Sequence, residues 1–377
     1  MVPGQLEPVL WNPGGFFHED GCNPSQLLDY HTGTVYPQDA ASQLPVALLD
    51  PRPGEVIFDA CAAPGSKTTQ IGLKLADTGL LLAADSSAGR RRVLAENLAR
   101  QGIACAIVLP QGLEQLAGAL RAVADGVLLD APCSGSEGRS RRRVADLAAL
   151  QLDLLLRASG TVRPGGRLVY STCSPTEEEN EAVVRRFLEE RRDWEVVKPE
   201  VAGPDSDRAG LGALRLHPEA FGCEPFFACV LRAPGQGERR ELPSRILKPE
   251  NAPLNEIAIP AGLLAWRAGH SLLLATPAAA RTDLHCEGRG LQLATEGPAG
   301  WRLTPWGAQA LIERGAAGPA LTRADARRLW AGETLELGLP AGTLVRTEAG
   351  APLGVLQVKG SRNRLDLPSR LCRSGLF

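Results

Sequence analysis

The chain has 377 residues, 44% of them hydrophobic, and a formal net charge of -2, enough length for about two or three domains and a sizeable core. No run of about 18 apolar residues occurs, and the N-terminus has no basic region followed by an apolar stretch, which argues against a membrane helix or a secretory signal and for a cytoplasmic address. The near-neutral charge is not that of a uniformly basic nucleic-acid binder. Nine scattered cysteines without CxxC or Cys/His ligand spacing argue for a reducing compartment, without disulfide framework or zinc site.

The first 45 residues, with Trp11, Phe16, Phe17 and many turn formers, read as a lead-in that packs on the next domain. From Val56 to Leu231 short apolar runs alternate with amphipathic stretches, the pattern of a parallel sheet with helical crossovers. Strands are expected at Val56 to Ala60, Leu80 to Asp85, Cys105 to Leu109, Gly126 to Asp130 and Arg167 to Ser171, with Phe226 to Leu231 closing the sheet in an antiparallel position. Helices are expected at Lys67 to Ala76, Ser87 to Gln101, Val144 to Val162 and Glu177 to Glu190, the third stopped by the turn Arg163-Pro164-Gly165-Gly166. The Pro/Gly-rich segment 234–240 reads as a linker. Beyond it, short β-type runs (Ser271 to Ala275, Gly342 to Arg346, Leu353 to Lys359) surround two small helices, the later one starting at the capping-type Thr322-Arg323-Ala324-Asp325. The division is therefore a lead-in (1–45), an α/β domain (46–233), a linker (234–240) and a small α+β module (241–377).

Two basic clusters stand out against the neutral whole. One is Arg139, Arg141, Arg142 and Arg143; the other is the tail from Arg346, where Arg346, Lys359, Arg362, Arg364, Arg370 and Arg373 face only Glu348 and Asp366. Each is a solvated basic surface unless its surroundings say otherwise.

The segment Asp59-Ala60-Cys61-Ala62-Ala63-Pro64-Gly65-Ser66-Lys67 joins an expected strand to an expected helix through small residues, so backbone N–H groups at the helix start are open to a ligand. Ser66 stands between Gly65 and Lys67, which rules out a phosphate-cradling P-loop, and a dinucleotide fingerprint needs two further glycines. A Gly turn alone is equally a plain βα connection. Asp85, at the end of the second strand, adds a carboxylate placed to accept the ribose hydroxyls of a nucleoside cofactor, which favours S-adenosylmethionine.

Asp130 ends the fourth strand, Cys133 follows it in a Pro-rigidified loop, and Cys173 follows the fifth strand. All three fall on the carboxyl edge of the sheet, where open α/β folds bind ligands. Two thiols beside a carboxylate suit pyrimidine methylation. A thiolate adds to carbon 6 of cytosine and makes carbon 5 nucleophilic, a carboxyl group near ring nitrogen 3 eases that addition, and a base then removes the proton from carbon 5 so that the thiol can leave. A single cysteine here would read as an inert small hydrophobe; two at strand ends do not.

These residues resemble the RNA cytosine carbon-5 methyltransferase family, most closely its bacterial small-subunit ribosomal RNA type. The resemblance rests on GTVYPQDAAS (33–42), DACAAPGSKTT (59–69), DAPCSG (130–135), PGGRLVYSTCSPTEEENEAVV (164–184) and LGVLQVKGSRNRLDLPSRLCR (353–373), and spans nearly the whole chain. It implies a Rossmann-like S-adenosylmethionine-dependent methyltransferase domain with a small C-terminal α+β PUA-like RNA-binding domain. It also implies that Cys173 attacks carbon 6, that Cys133 assists release, and that Asp130 contacts both target and cofactor region. Cys61, Ala62, Ala63, Pro64, Gly65, Ser66, Lys67 and Asp85 would bind S-adenosylmethionine. The expected partner is RNA, ribosomal before transfer RNA, and the expected state a monomer with no metal and no membrane.

Three departures accompany the resemblance. The family's N-terminal RNA-binding lobe has no counterpart, the loop after DAPCSG reads Ser136-Glu137-Gly138-Arg139-Ser140-Arg141, and Gln111-Gly112 replaces an acidic residue after the third strand. A transfer RNA methyltransferase and an RNA-binding assembly factor without turnover are the alternatives. A small-molecule or protein methyltransferase has no use for the paired cysteines.

Overall fold

The computed structural model describes residues 6–17, 27–135, 141–199, 201, 211–245, 247, 259–298, 300–316, 318–331, 333–341, 343–348, 350 and 352–366. A small hairpin of β1 (Glu7–Val9) and β2 (Asn12–Phe17) opens the chain. It is fastened by Trp11, whose ring nitrogen donates to the Ala40 carbonyl at 2.8 Å and whose ring meets Phe221 edge-on at 5.6 Å. Helix α1 (Leu44–Leu49) then leads into the central sheet.

The sheet runs through β3 (Val56–Asp59), β4 (Leu80–Ala83), β5 (Ala106–Val108), β6 (Ala124–Asp130) and β7 (Val162–Thr172), with β8 (Glu195–Val197), β9 (Leu214–Leu216) and β10 (Phe226–Arg232) beyond. Strands β5, β4, β3, β6 and β7 lie side by side and parallel, and β10 closes antiparallel on β7. Their short apolar runs are buried on both faces, as a helix-covered parallel sheet requires. Alternation decides the face: Ile57, Leu81, Leu128 and Val169 enter one core, and Phe58, Leu82, Leu129 and Tyr170 the opposite one. Each fully buried side chain of this size stabilises the fold by roughly 1.5–3 kcal/mol.

The crossovers include helices α2 (Ser66–Lys74), α3 (Ala88–Arg100), α4 (Arg141–Ser159) and α5 (Glu181–Glu190). Ser87 caps α3, its hydroxyl accepting the Arg90 N–H. The expected parallel order and antiparallel closure are observed, with three local differences. Helix α4 covers Arg141–Ser159 where 144–162 was expected, and Val162 instead opens β7. Helix α5 starts four residues later than 177, because Glu179 and Asn180 turn inward in the preceding turn and are fully buried. The turn at Pro164-Gly165-Gly166 lies within β7 as an irregularity, where the register jumps from Ala124 opposite Val162 to Gly126 opposite Arg167. Gly165 takes φ 70° there, and its N–H donates to the Pro234 carbonyl.

The segment expected as a linker is bound to the sheet: Arg239 pairs with Asp125 at 3.0 Å and the Arg240 N–H donates to the Ala122 carbonyl at 2.7 Å. Beyond it, β11 (Leu264–Ala268) and β12 (Ser271–Ala275) lead to β13 (Gly288–Arg289), followed by β14 (Leu291–Gly297) and β15 (Gly300–Leu303). Strands β11, β12, β14 and β15 make a four-stranded antiparallel sheet, and β13 pairs antiparallel with β5, extending the central sheet. Among the described residues of this region three helices occur, Pro277–Arg281, Pro305–Glu313 and Arg323–Trp330, where two were expected; Thr322 caps the last by accepting the Asp325 N–H. Strands β16 (Ala320–Leu321), β17 (Leu344–Thr347), β18 (Pro352–Lys359) and β19 (Arg362–Leu365) form a second small sheet. Arg139, Arg370 and Arg373, and the side chains of Arg141, Arg142 and Lys359, fall outside what is described. Among the described residues no helix is long and apolar enough to cross a membrane.

Candidate active site

The chain lays down β3, β4 and β5 in one direction and returns to place β6 on the other side of β3, so a crevice opens at the carboxyl ends of β3 and β6. Asp59 ends β3, Asp85 follows β4, Asp130 ends β6, and Cys173 follows β7. The sequence-derived site residues Asp85, Asp130 and Cys173 therefore converge on one edge, where Asp59 joins them.

The turn after β3 is locked in place. The Ala62 N–H donates to the Ala84 carbonyl at 2.8 Å, and the Ala63-Pro64 bond is cis. Gly65 has φ 115°, and a Cβ there would stand 3.1 Å from Leu94 in α3, so glycine serves both the turn and the close helix approach. Asp85 is nearly buried and accepts the N–H groups of Ser87 (2.9 Å) and Ala63 (3.3 Å), with Arg90 at 3.5 Å. Burial and the neighbouring carboxylates of Asp59, Asp130 and Asp85 push the Cys61 thiol well above its ordinary value, so it lines the turn as an un-ionised group.

Lys67 leaves this turn and reaches across the crevice. Its ammonium lies 2.7 Å from Asp130 and 2.8 Å from the Ser42 hydroxyl, over the Phe226 ring. The other Asp130 oxygen accepts from the Ser171 hydroxyl at 2.7 Å. A nearly buried Lys tied to a strand-end carboxylate offers a donor and an acceptor side by side.

The two cysteine sulfurs are 3.1 Å apart and not bonded as a disulfide. The hydrogen bond from Cys173 pulls the Cys133 thiol down to about 7, against burial. That same bond, burial and the charges of Cys133 and Asp130 push Cys173 up, and Lys67 is the group pulling it back. The pair therefore holds one proton between two sulfurs near neutral pH.

Two groups were not singled out in the sequence. Glu179 is wholly buried and receives donors from both cysteine loops. Asp59 is also wholly buried; burial, aided by Asp130 and opposed by Thr68 and Lys67, raises its carboxyl to about 7. Its Oδ2 accepts from the Thr68 hydroxyl at 2.7 Å and the Cys61 backbone N–H also acts on the carboxylate, while Oδ1 has no well-formed hydrogen bond among the described residues. A strand-end Asp in the cofactor turn was the available signal for it.

Residues 46–232 match the family described as 16S rRNA methyltransferase RsmB/F. The ribosomal RNA small subunit methyltransferase F of Klebsiella pneumoniae is 34% identical over 98% of this chain and 86% of its own length. The chain belongs to the RsmB/F family. The tRNA (cytosine(49)-C(5))-methyltransferase of Pyrococcus abyssi is 36% identical over 61% of this chain and 81% of its own. Among solved structures, a methyltransferase homolog from Pyrococcus horikoshii matches with TM-score 0.56 and 32% identity, covering 61% of this chain and 78% of the other.

This RsmB/F chain is thus an S-adenosylmethionine-dependent RNA methyltransferase with a Rossmann-like catalytic domain, as its motifs led one to expect. The crevice fits that cofactor. An orphaned buried carboxylate oxygen on Asp59, with Asp85 alongside, suits a ligand carrying ammonium and sulfonium charges.

Proposed function

We propose that the protein methylates carbon 5 of a cytosine in structured RNA, with small-subunit ribosomal RNA as the preferred target, through a covalent adduct between Cys173 and carbon 6. The observation that carries this reading is the thiol pair, 3.1 Å apart at the sheet edge beside the Lys67–Asp130 ion pair. Small-molecule methyl transfer needs no such pair. Asp59, Asp85 and the turn from Cys61 to Lys67 hold S-adenosylmethionine, which supplies the methyl group when bound.

The residues divide the work as follows. Cys173 forms its bond to carbon 6 as its proton passes to Cys133 along the sulfur contact. Asp130, ion-paired and accepting, suits the exocyclic amino group of cytosine, and Lys67 is the donor available to the ring as electron density moves onto it. After methylation the proton on carbon 5 must leave. Cys133 accepts it once its own proton has gone to solvent, and the sulfur–carbon bond breaks to return Cys173 as thiolate.

The C-terminal region serves as a PUA-related RNA-binding module. Arg346, Arg362 and Arg364 are exposed on its second small sheet, a surface suited to phosphate contacts. The enzyme acts as a cytoplasmic monomer. Transfer RNA is the second reading, favoured by the 36% identity to an enzyme named for cytosine 49 of that RNA. Bisulfite mapping of cellular RNA with and without the protein tests both: loss of a ribosomal 5-methylcytosine supports the first, loss of a transfer RNA site the second, and an unchanged map contradicts methylation altogether.

A further inference from the structure

Glu179 joins the two cysteine loops through one carboxylate. Its Oε1 accepts the Ser134 N–H and the Gln151 side-chain amide, both at 2.9 Å. Its Oε2 accepts the hydroxyls of Ser134 (2.5 Å), Ser174 (2.6 Å) and Thr176 (3.2 Å). Ser134 directly follows Cys133 and Ser174 directly follows Cys173, and their hydroxyls also meet each other at 3.2 Å.

The supports extend on both sides of the carboxylate. Gln151, on α4, also donates to the Pro132 carbonyl at 2.9 Å, bracing the residue before Cys133. Asn180 donates to the Ser174 carbonyl at 2.8 Å and accepts from the Thr172 hydroxyl at 2.5 Å, bracing both neighbours of Cys173. Burial pushes the Glu179 carboxyl up, but the hydrogen bonds from Ser134, Ser174 and Gln151 outweigh it and hold the group ionised. Among the described residues no cation lies against this buried anion, which persists only when its acceptor sites are filled, and here five donors fill them.

We propose that Glu179 is a positioning residue that sets the separation of the two cysteine sulfurs by anchoring both of their loops at once. This rests on the functional reading above only for its consequence, since the spacing itself is a property of the free protein. A carboxylate is needed because both oxygens accept. A glutamine keeps one acceptor, so either the Ser134 N–H with Gln151 or the serine hydroxyls lose theirs. Loops tied to a common atom move together, whereas loops tied separately drift, and sulfurs that drift by an ångström no longer share a proton.

The test compares Glu179→Gln with the milder Ser134→Ala and Ser174→Ala, so that a folding failure in one does not end it. Iodoacetamide labelling of Cys133 and Cys173 against pH, followed by peptide mass spectrometry, reads the thiol pair directly. The wild type should label Cys133 with a midpoint near 7, and each variant should move that midpoint up by about one unit towards the ordinary thiol value. In methylation assays kcat should fall by about tenfold or more while the KM for S-adenosylmethionine stays level, the pattern of lost alignment at the reacting atoms. The Ser134→Ala/Ser174→Ala pair should be no worse than Glu179→Gln, because all act through one anchor. Folded variants with an unmoved labelling profile would overturn the proposal. If the labelling shifts as expected but even the wild type methylates no RNA, the anchor stands and the functional reading fails.

Discussion

Arg91 and Glu287, 196 residues apart in the chain, form a two-pronged ion pair with both contacts at 2.8 Å. The same guanidinium donates to the Asp85 carbonyl at 2.7 Å, so a residue from the C-terminal region steadies the strand end that carries the proposed ribose contact. Strand β13 begins at the next residue and pairs with β5. The C-terminal region is therefore bolted to the cofactor edge at two adjacent points.

Glu287→Ala should weaken S-adenosylmethionine binding about tenfold and lower stability by roughly 1–3 kcal/mol, the cost of leaving a buried donor unpaired. Isothermal titration and thermal melts check the two effects, and an unchanged affinity would remove the proposed link between the regions. The pH sign is fixed. Arg91 holds the Glu287 carboxyl below its ordinary 4.5, so the stability it lends is present above that value and is lost as pH falls through the lowered one.

The shared proton of the cysteine pair predicts a pH profile. With the Cys133 thiol at about 7, both sulfurs are protonated in acid and adduct formation stalls, whereas above 7 the pair carries one negative charge. Single-turnover adduct formation should rise about tenfold per pH unit below 7 and level off above it. A rate already level from pH 5.5 would contradict the shared proton.

Asp59 gives a second pH dependence with a different reporter. Its carboxyl is raised from 3.8 to about 7 in the free protein, so a cationic ligand must bind the carboxylate at the expense of a proton. Affinity for S-adenosylmethionine should increase as pH rises towards 7, with proton release visible in titrations run in buffers of different ionisation enthalpy. For the free protein the sign is opposite. The raised value means that stability from Asp59 is fully present below 3.8 and is lost as pH rises through about 7. Asp59→Asn should flatten both dependences; a retained slope in both would assign them to another group.

Much of this site was legible because its residues sit where short apolar runs stop. Asp130 ends, and Cys173 follows, a short apolar run buried on both faces, so the edge they occupy follows from the strands alone. Glu179 was not legible, since Glu-Glu-Glu-Asn-Glu before an apolar helix reads as a solvated helix start, and only the packed structure turns one of those carboxylates inward. Lys67 reads in the sequence as part of the cofactor turn; its reach to Asp130 depends on a side chain crossing between two strands. The tie between Arg91 and Glu287 has no local signal at all, because nothing in either segment names its partner. The late start of α5 and the irregularity in β7 have the same origin, tertiary hydrogen bonds overriding a local pattern.

The covalent role of Cys173 is the central claim, and trapping the RNA adduct tests it most directly. Purified Cys173→Ala and Cys133→Ala proteins are incubated with target RNA and S-adenosylmethionine, then separated under denaturing conditions. Cys133→Ala should accumulate a stable protein–RNA adduct, because attack succeeds and release stalls, while Cys173→Ala should give neither adduct nor methylated product. A stable adduct from Cys173→Ala with none from Cys133→Ala would contradict the assignment.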